Sequence, residues 1–214
     1  GMPIGHPSDI TLRALESFRD AHLIFVEDPS TVSRLFKKWD VPFIRERIRV
    51  LNEHTTADEL NDLVQEAANV ELSVVVSDAG MPVFCDPGGD FMRLCEKAGI
   101  RIEIVPGPTA LTTALVRAGI NGAFYFAGFP PRKSEERGGF FRKLNQMTVP
   151  IVLYETPYRL EKILGEIQRH FRPDKKVIVC AGLTSPDESI VTSTVANAGK
   201  IRIQSAPPVI IIDG

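Results

Sequence analysis

The chain has 214 residues, of which 43% are hydrophobic and 24% charged, and its formal charge is −2. That length suits one large α/β domain or two small ones, and the composition excludes a disordered chain. The near-neutral balance excludes a strongly basic nucleic-acid scaffold, although a local basic patch can still grip phosphates.

Taken in chain order, Ser8 or Asp9 is expected to cap a helix running to about residue 20, with Leu12, Leu15 and Phe18 at helical spacing. The apolar run Leu23-Ile24-Phe25-Val26 reads as a buried strand closed by Glu27-Asp28-Pro29. A helix is expected over 31–39, a strand over 48–51, and a helix capped by Thr56 through residue 68. Val74-Val75-Val76 marks a strand over 70–77. Then come a helix over 91–98, a strand over 102–105 and a helix over 108–118, with proline near its first turn. Strand and helix alternate throughout, which is the pattern of a parallel sheet covered by helices.

Near Gly119-Ile120-Asn121-Gly122 the rhythm changes. Residues 124–126 are strand-like, and 128–139 form a polar, basic stretch rich in proline and glycine. A helix over 140–146, a strand over 151–154 and a helix over 159–170 follow. Strands over 177–181, 189–194 and 209–212 are separated by short turns, so antiparallel pairs are expected. The reading is two α/β domains: residues 1–121 with a mostly parallel sheet, and 122–214 with a mixed sheet.

Cys85, Cys95 and Cys180 form no C-x-x-C pair and read as free thiols of a reducing compartment, the last two as core residues. His6, His22, His54 and His170 are dispersed, so no metal site is expected. No signal peptide and no bilayer-length apolar stretch is present, and the cytoplasm is the simplest address. Gly1 ahead of Met2 reads as an added residue.

The segment Ser77-Asp78-Ala79-Gly80-Met81-Pro82-Val83-Phe84-Cys85-Asp86-Pro87-Gly88 carries the most information. Small residues at Ala79 and Gly80 let a ligand approach the backbone, and Asp78 can accept hydrogen bonds from a hydroxyl or amine. Read alone, the segment equally fits an ordinary strand-to-helix turn. Pro106-Gly107-Pro108-Thr109-Ala110 repeats the logic with a helix start as its plainer reading. In open parallel sheets, ligands gather at the carboxyl ends of strands, where both loops fall. No G-x-G-x-x-G follows a strand and no P-loop motif is present, which argues against a nicotinamide dehydrogenase or a P-loop hydrolase. Arg132, Lys133, Arg137, Arg142 and Lys143 make a basic cluster past the hinge, suited to RNA phosphates or to a solvated loop. Polar, loop-placed His54 is a candidate ligand or proton carrier, and Glu155 is a site residue or a partner for Arg159.

These stretches, with Pro3-Ile4-Gly5-His6-Pro7-Ser8-Asp9, Phe126-Ala127-Gly128-Phe129-Pro130-Pro131-Arg132-Lys133 and Tyr154-Glu155-Thr156-Pro157-Tyr158-Arg159, occur in an order that resembles the bacterial small-subunit ribosomal RNA cytidine 2′-O-methyltransferases. These are a branch of the tetrapyrrole methylase superfamily. The resemblance implies two α/β domains with a cleft between them for S-adenosylmethionine, a homodimer, and ribosomal RNA as substrate. It implies cofactor contacts from Ser77, Asp78, Ala79, Gly80, Met81 and Phe84, from Thr109 and Ala110, and from Tyr154, Leu183 and Pro208. Pro3, His54, Arg132, Lys133 and Arg159 are assigned to the substrate side. Lys133 and Asp78 are the catalytic candidates, with His54 and Glu155 left open as alternatives.

The sequence also departs from that branch. Glu27-Asp28-Pro29-Ser30 lacks the branch's arginine, Ala181-Gly182-Leu183-Thr184-Ser185 replaces Arg-Glu-Leu-Thr-Lys, Thr192-Ser193-Thr194 replaces Arg-Gly-Thr, and Ser205-Ala206-Pro207 replaces Lys-Gly-Glu. Lost positive charge leaves two further readings: a tetrapyrrole C-methyltransferase and a non-catalytic cofactor-binding module. The branch's first strand, expected just before Pro3, is also missing, so a truncated chain or a rearranged domain is expected.

Overall fold

The computed structural model describes residues 1–86, 88–203 and 206–214; Pro87 and Ser205, both named above, lie outside the described residues. The chain forms two compact units, residues 1–109 and 110–214.

The first unit is built on a three-stranded parallel sheet of order β2-β1-β3, comprising β1 (Leu23–Val26), β2 (Ile48–Val50) and β3 (Ser73–Val75). Every residue of β1 is buried, as a central strand covered on both faces requires. Side chains alternate across a strand. Ile24 and Val26 therefore join Phe18 and Phe36 from α1 (Leu12–Asp20) and α2 (Pro29–Trp39). Leu23 and Phe25 join Leu63, Val64 and Phe91 from α3 (Ala57–Ala68) and α4 (Gly89–Lys97).

Three expectations are corrected here. The helix expected from Ser8 or Asp9 starts later. Pro7–Asp9 is a short 3-10 turn, and the Thr11 hydroxyl caps α1 by accepting from the Ala14 N–H at 3.2 Å. The 70–77 strand is shorter, β3 covering only three residues. The strand expected over 102–105 does not form, because no strand among the described residues runs beside it to complete a ladder. Arg13 donates to the Ile104 carbonyl and the Gly1 amine to that of Val105, while the Ile104 side chain is 58% exposed.

The capping box at α3 follows the sequence closely. The Thr56 hydroxyl accepts from the Glu59 N–H, and the Glu59 carboxylate accepts from the Thr56 N–H at 2.8 Å. Thr56→Ala is expected to destabilise the protein by about 1 kcal/mol, measured by urea unfolding with an unchanged m-value.

The second unit carries a five-stranded sheet of order β4-β5-β8-β6-β7. Its strands are β4 (Tyr125–Gly128), β5 (Ile151–Tyr154), β6 (Lys176–Ala181), β7 (Ser189–Thr194) and β8 (Pro208–Ile212). The β4–β5 pair is parallel, and β5–β8, β6–β8 and β6–β7 are antiparallel, as the short turns between the last strands implied. Central β8 is buried throughout. Helix α5 (Ala110–Ala118), assigned to the first domain from the sequence, packs on β8 and belongs to the second unit. Helix α6 (Ser134–Leu144) begins inside the stretch read as loop, and α7 (Leu160–His170) covers the core with Ile163, Leu164 and Ile167. Cys95 and Cys180 are buried, Cys85 is exposed, and all three are free. No helix is long and apolar enough to cross a membrane among the described residues.

Candidate active site

In the first unit the parallel sheet delivers the ends of β1 and β3 to one rim. The Asp78 N–H donates to Glu27 Oε2 at 2.9 Å, and Asp78 Oδ1 accepts the Asp28 N–H at 3.3 Å. The two strand ends are thus tied side by side. Asp28 is occupied as the cap of α2: it accepts from the Ser30 N–H at 2.9 Å and from the Thr31 hydroxyl at 3.1 Å. The hydroxyl and N–H of Ser30 hold its carboxyl below the usual range.

The other carboxyls behave differently. Burial, opposed by the Asp78 N–H and reinforced by the charges of Asp78 and Glu53, raises Glu27. Burial and the Asp28 charge raise Asp78, against the Asp28 N–H and distant Arg34. Asp86 is pushed up to about 7 by burial and by the charges of Glu27 and Asp78, against a hydrogen bond from Ser77. None of these three has a salt bridge among the described residues. The rim is therefore a region of negative potential, in which Arg34 acts on Asp78 without forming a salt bridge. No group of His, Cys, Asp and Glu among the described residues is arranged to hold a metal ion.

Backbone shape fits the same rim. Gly80 has φ of 76°, a conformation costly for a side chain, and it forms an isolated antiparallel bridge with Met2. The hydroxyl of buried Ser77 turns back to the Ala79 carbonyl at 3.1 Å. Val83 and Cys85 also adopt positive φ (70° and 67°), unfavourable for a β-branched residue above all, so the loop holds stored strain. Phe84, beside them, is 41% exposed.

The second unit brings another expected set together. β5 and β6 end where β8 begins, with Tyr154 opposite Val209 and Ala181 opposite Pro208. Tyr154, Leu183 and Pro208 therefore share one sheet edge. The Tyr154 hydroxyl accepts from the Leu111 N–H at 2.8 Å, which ties the start of α5, at Ala110, to that edge. Phe126 and Phe129 meet the Tyr154 ring edge-on, at 5.0 and 5.8 Å between centroids.

Other residues are placed less centrally. Pro3 is buried, next to the Met2–Gly80 bridge, while Thr109 and Met81 are half-buried. His54 follows β2 and is exposed, its nearest charge being Glu53 at 3.8 Å. The basic cluster divides into three: Arg132 and Lys133 are exposed, Arg137 is fully buried, and Arg142 and Lys143 occupy the last turn of α6, where cations complement the helix dipole. Arg159, read as substrate-side, has its guanidinium 3.3 Å from Glu155 Oε2 and bonded to the Pro130 and Pro131 carbonyls. From the sequence, Arg137 reads only as one of the basic cluster, and Asp86 only as part of the quoted segment. Asp78 shares that segment with Asp86, but Glu27, the larger charge acting on it, comes from the loop after β1.

The fold is that of the tetrapyrrole (corrin/porphyrin) methylase family. The chain matches that family over residues 1–199 and belongs to it. It is 35% identical over 194 residues to ribosomal RNA small subunit methyltransferase I of Neisseria meningitidis serogroup B, a match covering 90% of this chain and 65% of that protein. With the protein of the same name from Thermotoga maritima it is 33% identical over 199 residues, covering 92% and 87%. The chain thus spans about 65% of the length of the Neisseria relative. Among solved structures, uroporphyrin III C-methyl transferase from Thermus thermophilus superposes with a TM-score of 0.72 at 20% identity, over 99% of this chain and 94% of that one. A diphthine synthase gives 0.73 at 16%, over 100% and 88%. At these identities the likeness is one of fold.

Proposed function

We propose that the protein is an S-adenosylmethionine-dependent methyltransferase acting in the cytoplasm, with a ribose 2′-hydroxyl of small-subunit ribosomal RNA as its acceptor. The observation that carries the reading is the loop after β4, where half-exposed Phe129 is followed within four residues of sequence by the exposed cations Arg132 and Lys133. An aromatic face for a base and adjacent cations for phosphates are what single-stranded RNA recognition uses. The names of the relatives support the same substrate class.

The first unit's rim fits a cationic cofactor, because the raised carboxyls of Glu27, Asp78 and Asp86 form no salt bridge among the described residues and Gly80 permits close approach. When bound, S-adenosylmethionine supplies an activated methyl group on a sulfonium. Ser77, Asp78, Ala79, Gly80, Met81, Phe84 and Thr109 are the proposed contacts in this unit; Ala110, Tyr154, Leu183 and Pro208 are proposed in the second. Methyl transfer needs alignment and exclusion of water more than covalent help. On the acceptor side, the Lys133 ammonium is proposed to favour the alkoxide form of the ribose hydroxyl. The assembly is proposed as a homodimer, which sedimentation of the pure chain tests.

The deciding measurement is transfer of labelled methyl from S-adenosylmethionine to hypomethylated small-subunit RNA. Label in 2′-O-methylated nucleotide supports the reading. Label only in a tetrapyrrole acceptor, or tight cofactor binding with no acceptor, overturns it.

A further inference from the structure

The loop that carries Arg132 and Lys133 is held from beneath by two other arginines. Arg137, on α6, is 1% exposed, and its Nη1 donates to the carbonyls of Pro131 and Arg132 at 3.2 and 2.7 Å. Its Nε reaches both oxygens of Glu166, on α7, at 2.9 Å. Arg159, just before α7, donates from Nη2 to the carbonyls of Pro130 and Pro131 at 2.9 and 3.3 Å. Buried Glu155 lies 3.3 Å from that Nη2 and is itself oriented by the Thr156 N–H at 2.7 Å. Two guanidiniums therefore hold three consecutive carbonyls; Arg137 donates to Glu166, while Glu155 faces Arg159 as an ion pair whose Oε2 makes no hydrogen bond.

This arrangement is not what stability alone would select. Burying an ion pair is offset poorly by its attraction, and an apolar pair of similar volume often serves as well. The second Arg137 nitrogen, Nη2, is buried without a hydrogen-bond partner, a further penalty. What an apolar pair lacks is donors. Pro130 and Pro131 have no N–H of their own, so the loop's main chain can be fastened there only through its carbonyls. A rigid fork bonded to consecutive carbonyls fixes the backbone that aims the next two side chains.

We infer that Arg137 and Arg159 are positioning residues that lock the Pro130–Arg132 backbone, so that Arg132 and Lys133 meet an RNA phosphodiester as a preorganised pair. The inference rests on the RNA reading above. It makes Arg159 a residue that acts through the loop rather than one that touches substrate.

The test compares wild type with Arg137→Lys, Arg159→Lys and Arg159→Gln, using the full chain, S-adenosylmethionine and hypomethylated small-subunit RNA. Each variant is expected to raise KM for RNA roughly 5- to 10-fold, as ordering is lost before binding, with cofactor affinity unchanged. Arg159→Lys should recover part of what Arg159→Gln loses. The slope of log affinity against log salt should flatten by about 0.7 for one lost single-strand phosphate contact and about 1.4 for both. Loss of folding alone would lower cofactor and RNA binding together and leave that slope intact. Should buried Arg137→Lys not fold, the two variants at less buried Arg159 carry the comparison. Unchanged KM and slope in folded Arg159→Gln overturn the inference while leaving the RNA reading standing. Absence of RNA binding by wild type overturns both.

Discussion

Lys133→Ala is expected to lower turnover on small-subunit RNA by about 10²- to 10³-fold, with cofactor affinity unchanged. Lys133 sits at the N-cap position of α6, where the helix dipole disfavours a cation, and its side chain makes no capping bond. Its nearest carboxylate is Glu136 Oε1 at 3.8 Å, an exposed i,i+3 contact worth little. A residue that breaks a local rule without a local gain is where function is to be sought. Two anionic features would relieve the conflict: an RNA phosphate and a ribose oxygen gaining charge in the transition state. The alanine variant removes the unfavourable dipole contact, so its melting temperature should hold or rise. Reduced turnover with unchanged stability then isolates the chemical role. A raised KM with unchanged kcat would leave Lys133 its phosphate contact alone and remove the proposed role in the chemical step. Normal turnover would remove it from the site altogether.

How much of this could be read in advance depends on whether the cause was local. The Thr56 cap and the apolar run of β1 are short-range patterns, and both appear where the sequence puts them; the reciprocal bond from Glu59 was not read from it. Tyr154, Leu183 and Pro208 were named from the family resemblance, and the β5–β8–β6 register brings them to one edge. The start of α6 was hidden by Gly138 and Gly139, which read as loop. Glu135 and Glu136 in its first turn and the Arg137–Glu166 pair outweigh them. Residues 102–105 have the composition of a strand, but a ladder depends on a neighbour that composition does not reveal. Arg137 looked like one more member of a basic cluster, because burial is set by a helix some 30 residues further on. Asp86 was invisible for a similar reason: its burial shifts it most, and after that the charge of Glu27, which comes from the end of β1.

Cofactor affinity is expected to fall by about 30-fold between pH 8 and pH 5.5, and Asp86 is the group expected to cause it. Its carboxyl titrates near 7, pushed up by burial and by Glu27 and Asp78, and held back by the Ser77 hydrogen bond. Glu53 adds negative charge beside Glu27, Arg34 is the cation that acts on Asp78, and the charges that shift Asp86 are those of Glu27 and Asp78. A cationic ligand prefers the ionised rim. Each pH unit below about 7 should therefore weaken it by up to about tenfold, for as long as Asp86 is protonated before binding and ionised after it. The stability effect has the opposite sign. Between the ordinary carboxylate range and about 7, the folded chain keeps a proton that the unfolded chain has lost, so stability declines as pH rises through that window. Asp86→Asn should then flatten the affinity profile at its low-pH value and raise the melting temperature at pH 8 by roughly 2–4 °C, the gain shrinking at pH 5. Calorimetric titration with S-adenosylmethionine and thermal melts of both proteins across this range read the two effects separately. An affinity profile that keeps its slope in Asp86→Asn would move the titrating role to Glu27 or Asp78, the other raised carboxyls of the rim. Affinity that rises on acidification would mean that the rim binds no cation, and the proposed cofactor site would lie elsewhere.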